Sequence, residues 1–140
     1  MEEKKISQIE KVDDSLKWHF FNMYCMALSD TDFDPKEAEL LYKIGIEHGL
    51  DKKVIDEIVV TSGLHPVIPE TMEDKIAYLY DLTRMAWADG KIEEEEKTVL
   101  LKNIIRFGFK EENKESILTY LIENIKAKKS LNQIIQELKI

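Results

Sequence analysis

The chain has 140 residues, of which 44% are apolar and 34% charged, and its formal net charge is −8. This length and apolar content are typical of one folded domain with its own hydrophobic core, and they argue against a disordered chain. The negative charge argues against nucleic-acid binding, because lysine and arginine supply most of the affinity for phosphates.

The N-terminal residues and the apolar stretches bear on location. Residues 1–5 are highly charged and lack the apolar region of a signal peptide. No stretch approaches the roughly eighteen apolar residues that a membrane span needs. We therefore expect a cytoplasmic protein that does not insert into membranes. The single cysteine, Cys25, has apolar neighbours and is expected in the core.

Apolar residues recur at helical spacing along almost the whole chain, and no run alternates with the period of a strand. The pattern predicts an all-α protein, a compact bundle of about six to eight helices. The predicted helical segments contain residues 16–27, 40–44, 54–59, 72–87, 100–105, 117–125 and 131–138.

The ends of these helices are marked by capping residues. Asp34, Pro35 and Glu37 predict a helix start, because they match the preferred N-cap, first and third helical positions. Gly49 and Gly108 predict helix ends, because glycine readily adopts the left-handed conformation there. The other predicted N-caps and the predicted proline linker are Asp51, Thr71, Ser130 and residues 63–70.

The chain contains an internal repeat. Residues 23–59 align without a gap on residues 82–118, and nine of 37 positions are identical. The identical positions include a loop aspartate, a first-turn glutamate and the glycine at the helix end. We therefore predict a single domain, residues 1–140, built from two units of helix, acidic loop, helix, glycine and helix.

Both predicted loops are acidic, which allows two interpretations. Turn formation and the helix dipole account for most of these carboxylates without a ligand. Clustered carboxylates are also suitable ligands for calcium or magnesium, although Pro35 and Leu41 break the EF-hand pattern. The candidate residues for metal or partner contact are Asp30, Asp32, Asp34, Glu37, Asp89, Glu93 and Glu96.

One stretch carries a family resemblance. Residues 85–92 read Met-Ala-Trp-Ala-Asp-Gly-Lys-Ile and are followed by Glu96 and by Gly108-Phe109. This pattern resembles the TerB-like domains of the tellurite-resistance family, over residues 15–125. The resemblance implies a compact helical, non-enzymatic domain of stress-response assemblies, with acidic residues that contact a metal or a partner. The first copy has Ser29-Asp30-Thr31 where the family has Ala-Asp-Gly.

No catalytic pattern stands out. His19, His48 and His65 are scattered, so no zinc site is predicted, and His19 is expected to be half-buried beside the core. Trp18 and Phe21 either widen the buried face of their helix or form a patch for a partner or a second copy. We expect an interaction module that binds an unknown protein or a divalent cation. The alternative is a divalent-metal-binding protein that uses carboxylates of both loops.

Overall fold

The computed structural model describes residues 11–28, 35–61 and 64–139. These residues form seven α-helices, a short 3-10 turn lies at Glu111–Asn113, and no strand occurs among them. The predicted all-α fold is therefore confirmed. The helices are α1 Asp14–Leu28, α2 Pro35–Glu47, α3 Lys52–Val60, α4 Met72–Ala86, α5 Glu94–Arg106, α6 Lys114–Lys126 and α7 Leu131–Leu138.

Helices α1 and α4 form the centre of the bundle. Helix α1 packs against α2, α3 and α4, while α4 also packs against α5, α6 and α7. Phe20 and Met23 of α1, and Leu79 and Leu82 of α4, are almost completely excluded from solvent. Burial of such side chains is the main source of folding free energy, so the α1–α4 contact anchors the fold.

Helices α2 and α5 occupy equivalent positions in the two copies of the repeat. Helices α2 and α5 have 13 residues each, and both boundaries of α5 lie 59 residues after those of α2. The same separation that aligns the two sequence copies therefore also aligns these helices.

The predicted helix ends at Gly49 and Gly108 are confirmed. Both glycines have positive φ angles, 81° and 98°. Directly after Gly49, the amide of Leu50 donates to the carbonyl of Gly45, which is the hydrogen bond of a Schellman motif. The amide of Phe109 makes the equivalent bond in the second half.

The predicted N-caps that fall in the described chain are also confirmed. The side chains of Asp51, Thr71 and Ser130 each accept a hydrogen bond from the backbone amide three residues later. Helix α2 begins at Pro35 as predicted. Asp34 lies outside the described residues.

Two expectations about individual side chains are decided by the packing. Cys25 is exposed, so its predicted core position is wrong. It lies on the face of α1 that the neighbouring helices do not cover. Trp18 is buried and Phe21 half-buried, so these residues widen the buried face of α1.

No helix in the described chain has the length and apolar content that crossing a bilayer would need.

Gly45 allows α2 and α3 to approach closely. A Cβ atom at this position would overlap the δ-carbon of Ile55 and lie 3.3 Å from the carbonyl oxygen of Leu50. Overpacking a core costs about 1–3 kcal/mol, and the better helix propensity of alanine returns at most about 1 kcal/mol. We expect Gly45→Ala to lower the free energy of unfolding by about 1–2 kcal/mol, measured by urea denaturation.

The control for this prediction removes the methyl group that the new Cβ would meet. Because Ile55→Val lacks the δ-carbon, the double variant Gly45→Ala/Ile55→Val should lose less stability than the two single variants together. Additive losses would show that Ile55 does not limit the space at Gly45.

Candidate functional site

The second acidic loop joins α4 to α5. Asp89 is exposed, and the next residue, Gly90, donates its backbone amide to the carbonyl oxygen of Trp87 at 2.8 Å. Gly90 has a φ of 88°, as the Asp-Gly turn signal predicts. The first acidic loop, with Asp30, Asp32 and Asp34, lies outside the described residues.

Glu93 and Glu96 form the start of α5. The side chain of Glu96 accepts a hydrogen bond from the amide of Glu93 at 3.0 Å, completing a capping box. Glu96 is only 3% exposed, and its counterpart in α2, Glu37, is 5% exposed. These first-turn glutamates are therefore buried at helix starts, and Glu96 has a structural role there.

The predicted carboxylates Asp89, Glu93 and Glu96 do not converge into a three-ligand group. In the described ranges, the one group of three metal-ligating side chains consists of His19, His48 and Asp81. We call it the His–Asp–His cluster. Its three ligand atoms all lie within 4.8 Å of one another.

Hydrogen bonds to a single carboxylate oxygen join the cluster. Oδ2 of Asp81 lies 3.0 Å from Nε2 of His19 and 2.8 Å from Nε2 of His48. Because an ionised carboxylate can only accept, both imidazoles carry their proton on Nε2 in this arrangement. Nδ1 of His19 is buried and has no hydrogen-bond partner.

Three helices supply the cluster. His19 lies on α1 and Asp81 on α4, the two central helices, on the faces that pack together. His48 follows the last residue of α2, where the Gly49 turn reverses the chain. The helix end that the sequence predicts therefore also positions this imidazole.

Aromatic rings hold the two imidazoles in place. Tyr78 stacks on His19 with the ring centroids 4.0 Å apart and the planes 7° from parallel. The ring of Phe20 meets His48 edge to face, at 5.7 Å between centroids. These contacts leave His19 fully buried, while the side chain of His48 keeps 24% of its surface exposed.

The cluster combines an ionised carboxylate with a neutral buried imidazole. Burial by itself raises the pKa of Asp81, but the hydrogen bonds from His19 and His48 outweigh it and hold this pKa below its usual range. Burial lowers the pKa of His19, and the attraction to Asp81 offsets only part of that effect.

A cavity of about 410 Å³ adjoins the cluster on the side of His48. Arg84 faces this cavity and makes two hydrogen bonds to Glu47, at 2.7 and 3.2 Å. Its Nη1 also lies 3.6 Å from Oδ1 of Asp81. The residues that line the cavity are Glu47, His48, Tyr80, Asp81, Arg84 and residues 130–132.

Sequence reasoning missed this cluster. The histidines are scattered in the sequence, but the fold brings His19 and His48 together, with their ring centroids 5.9 Å apart. The expectation of a half-buried His19 is wrong, because the residue is 0% exposed. One signal was present: Asp81 shares a helix face with the buried residues Ala77 and Met85, where an unpaired charge is unfavourable.

The repeat does not duplicate the cluster. The positions 59 residues after His19 and His48 hold Tyr78 and Phe107. The position 59 residues before Asp81 holds Asn22. Asn22 there bonds to Asn103 at 2.8 Å, and Phe107 is completely buried in the core. The described chain therefore carries one polar cluster of this kind, between α1, α4 and the turn after α2.

Comparison of the chain with protein-family models, with curated proteins and with solved structures finds no match.

Proposed function

We propose that this protein is a non-catalytic interaction module resembling TerB, which binds a partner protein with a basic surface. The supporting observation is a set of exposed carboxylates around the starts of α5 and α6, which we call the acidic face. These side chains make no ion pair or hydrogen bond with the rest of the described chain. They are Asp89, Glu94, Glu95 and Glu112.

An ion pair joins the first turns of α5 and α6. Nζ of Lys97, in the first turn of α5, is 3.6 Å from a carboxylate oxygen of Glu115, in the first turn of α6. The negative charges of the acidic face also interact favourably with the positive ends of the two helix dipoles, so they stabilise the helix starts as well.

Hydrogen bonds hold the backbone of the loop before α5 and of the first turn of α5. The capping box of Glu93 and Glu96 fixes the first turn of α5, and the Gly90 turn fixes the loop before it. A preorganised surface loses less conformational entropy on binding than a mobile one. Charges of one sign also steer a partner of opposite charge toward the face, an effect that salt weakens.

The test removes three charges from the acidic face. The variant Asp89→Asn/Glu94→Gln/Glu95→Gln keeps side-chain shape, and circular dichroism would check that the fold is retained. We expect this variant to lose proteins that the wild-type chain retains from a cell extract at low salt, measured by quantitative mass spectrometry. High salt should weaken the same interactions in the wild type.

A matched control removes three exposed carboxylates elsewhere on the chain. The control variant, Glu39→Gln/Glu70→Gln/Glu73→Gln, has the same net charge and should retain the partners of the wild type. Equal loss in both variants would attribute binding to net charge alone and contradict a specific face.

A calcium or magnesium site is the alternative use of these carboxylates, shared with Asp30, Asp32 and Asp34 of the first loop. Calorimetric titration of the wild type with either ion would then give saturable heat that the face variant loses. Such a result, without any partner that depends on the face, would replace the interaction module by a cation-binding protein.

A further inference from the structure

We propose that the His–Asp–His cluster binds one divalent transition-metal ion of the zinc type. The cluster offers two imidazole nitrogens and one carboxylate oxygen, which all lie within 4.8 Å of one another. This donor set is typical of zinc and related ions, whereas calcium and magnesium prefer oxygen ligands alone. The site is separate from the acidic face, so it does not depend on the proposed function.

The distances from the carboxylate oxygen to the two nitrogens are close to those that the ion requires. The two Nε2 atoms lie 3.0 and 2.8 Å from Oδ2 of Asp81. Around a tetrahedral zinc ion with ligand distances of about 2.0–2.1 Å, neighbouring ligand atoms are about 3.3 Å apart. Each nitrogen–oxygen distance must therefore lengthen by a few tenths of an ångström, and the two nitrogens, which lie within 4.8 Å of each other, must turn toward the ion.

Binding of the ion requires both imidazoles to change tautomer. In the metal-free arrangement each Nε2 carries the proton that it donates to Asp81. When the ion binds, each imidazole coordinates through Nε2 and carries its proton on Nδ1 instead. The change moves a proton within each ring, and on His19 it places that proton at the buried Nδ1, which has no hydrogen-bond partner in the described chain.

The surrounding charges suit a cation at this place. Arg84 is a positive side chain beside the cluster, and its guanidinium is paired with Glu47 by two hydrogen bonds. It also approaches Oδ1 of Asp81, whereas the imidazoles meet Oδ2. Arg84 therefore approaches the carboxylate at the oxygen that the imidazoles do not contact, as an ion pair at 3.6 Å.

The cavity gives the ion a route from solvent and gives space for a water molecule as a fourth ligand. The 410 Å³ space beside His48 and Asp81 is large enough for several water molecules. A three-ligand protein site with a water in the fourth position is the usual arrangement of an open zinc site. His19 closes the inner side, because it is fully buried and stacked on Tyr78.

The competing explanation is a hydrogen-bonded cluster that only stabilises the α1–α4 contact. Nuclear magnetic resonance of the unmodified, tag-free chain separates the two explanations without any substitution. Zinc chloride would be titrated while the imidazole signals of all three histidines are followed. We expect His19 and His48 to shift together and saturate at one equivalent of zinc, while the exposed His65 stays unchanged.

Variants provide a second measurement, by calorimetric titration with zinc chloride. Because His48 is partly exposed, His48→Gln should fold and should bind zinc at least tenfold more weakly than the wild type. His65→Gln, the matched control, should bind as the wild type does. Asp81→Asn, which removes the charge but keeps an oxygen, should also weaken binding.

Two outcomes would overturn the metal site. Absence of saturable binding by the wild type at one equivalent would leave the cluster as a structural network. Shifts at His65 with none at His19 would assign any zinc binding to the surface instead. Neither outcome bears on the acidic face, whose test uses a different set of residues.

Discussion

Replacing Phe20 with alanine is expected to lower the free energy of unfolding by about 3–5 kcal/mol. The ring is completely buried in α1, and no neighbouring side chain could fill the space without leaving its own contacts. Its edge also lies against both imidazoles of the His–Asp–His cluster. Denaturation in urea or guanidinium chloride, monitored by circular dichroism, would measure the loss.

The neighbouring phenylalanine is the control for this prediction. Phe21 lies on the same helix but is only half-buried, so Phe21→Ala should cost clearly less. Equal losses in the two variants, or a loss below about 1 kcal/mol for Phe20→Ala, would contradict the central position of Phe20. Because small domains are stable by only about 5–15 kcal/mol, Phe20→Ala should leave a marginally stable protein.

Replacing Asp81 with alanine is expected to lower the free energy of unfolding by about 3 kcal/mol in the presence of a chelator. The carboxylate is 3% exposed and accepts hydrogen bonds from His19 and His48. Its removal would leave the fully buried Nε2 of His19 without an acceptor, at a cost of about 1–3 kcal/mol. It would also remove a negative charge beside Arg84. Chemical denaturation at neutral pH would measure the change.

Asp81→Asn separates hydrogen bonding from charge in this experiment. The asparagine oxygen can still accept from the imidazoles, so this variant should lose less stability than the alanine variant. If the two substitutions were equally costly, the charge of Asp81 would matter more than its hydrogen bonds. A loss below about 1 kcal/mol for Asp81→Ala would show that the cluster contributes little to the metal-free fold.

Most of the fold could be predicted from the sequence because its signals are local. The spacing of apolar residues identified the helical segments, and side chains such as Asp51 and Thr71 identified helix starts. Gly49 and Gly108 identified helix ends, since few other residues adopt positive φ angles without strain. Each of these signals acts within one turn of the chain, so it can be read before any tertiary contact is known.

The acidic residues were predicted less completely. The sequence marks Glu96 as a first-turn residue, but its burial and its bond to the amide of Glu93 follow from how α5 begins and packs. Whether a carboxylate faces solvent or closes a helix start depends on these neighbours. For the same reason, composition alone could not separate the exposed Asp89 from the buried Glu96.

The sequence by itself thus determined an all-α chain with its helix starts, its glycine ends and a repeated pattern. Only the tertiary structure decided that His19, His48 and Asp81 meet. His48 and Asp81 are 33 positions apart in the chain, and His19 and Asp81 are 62 apart. No local pattern relates residues at such separations. Their contact arises from the packing of α1 on α4 and from the turn after α2, which the burial of apolar side chains drives.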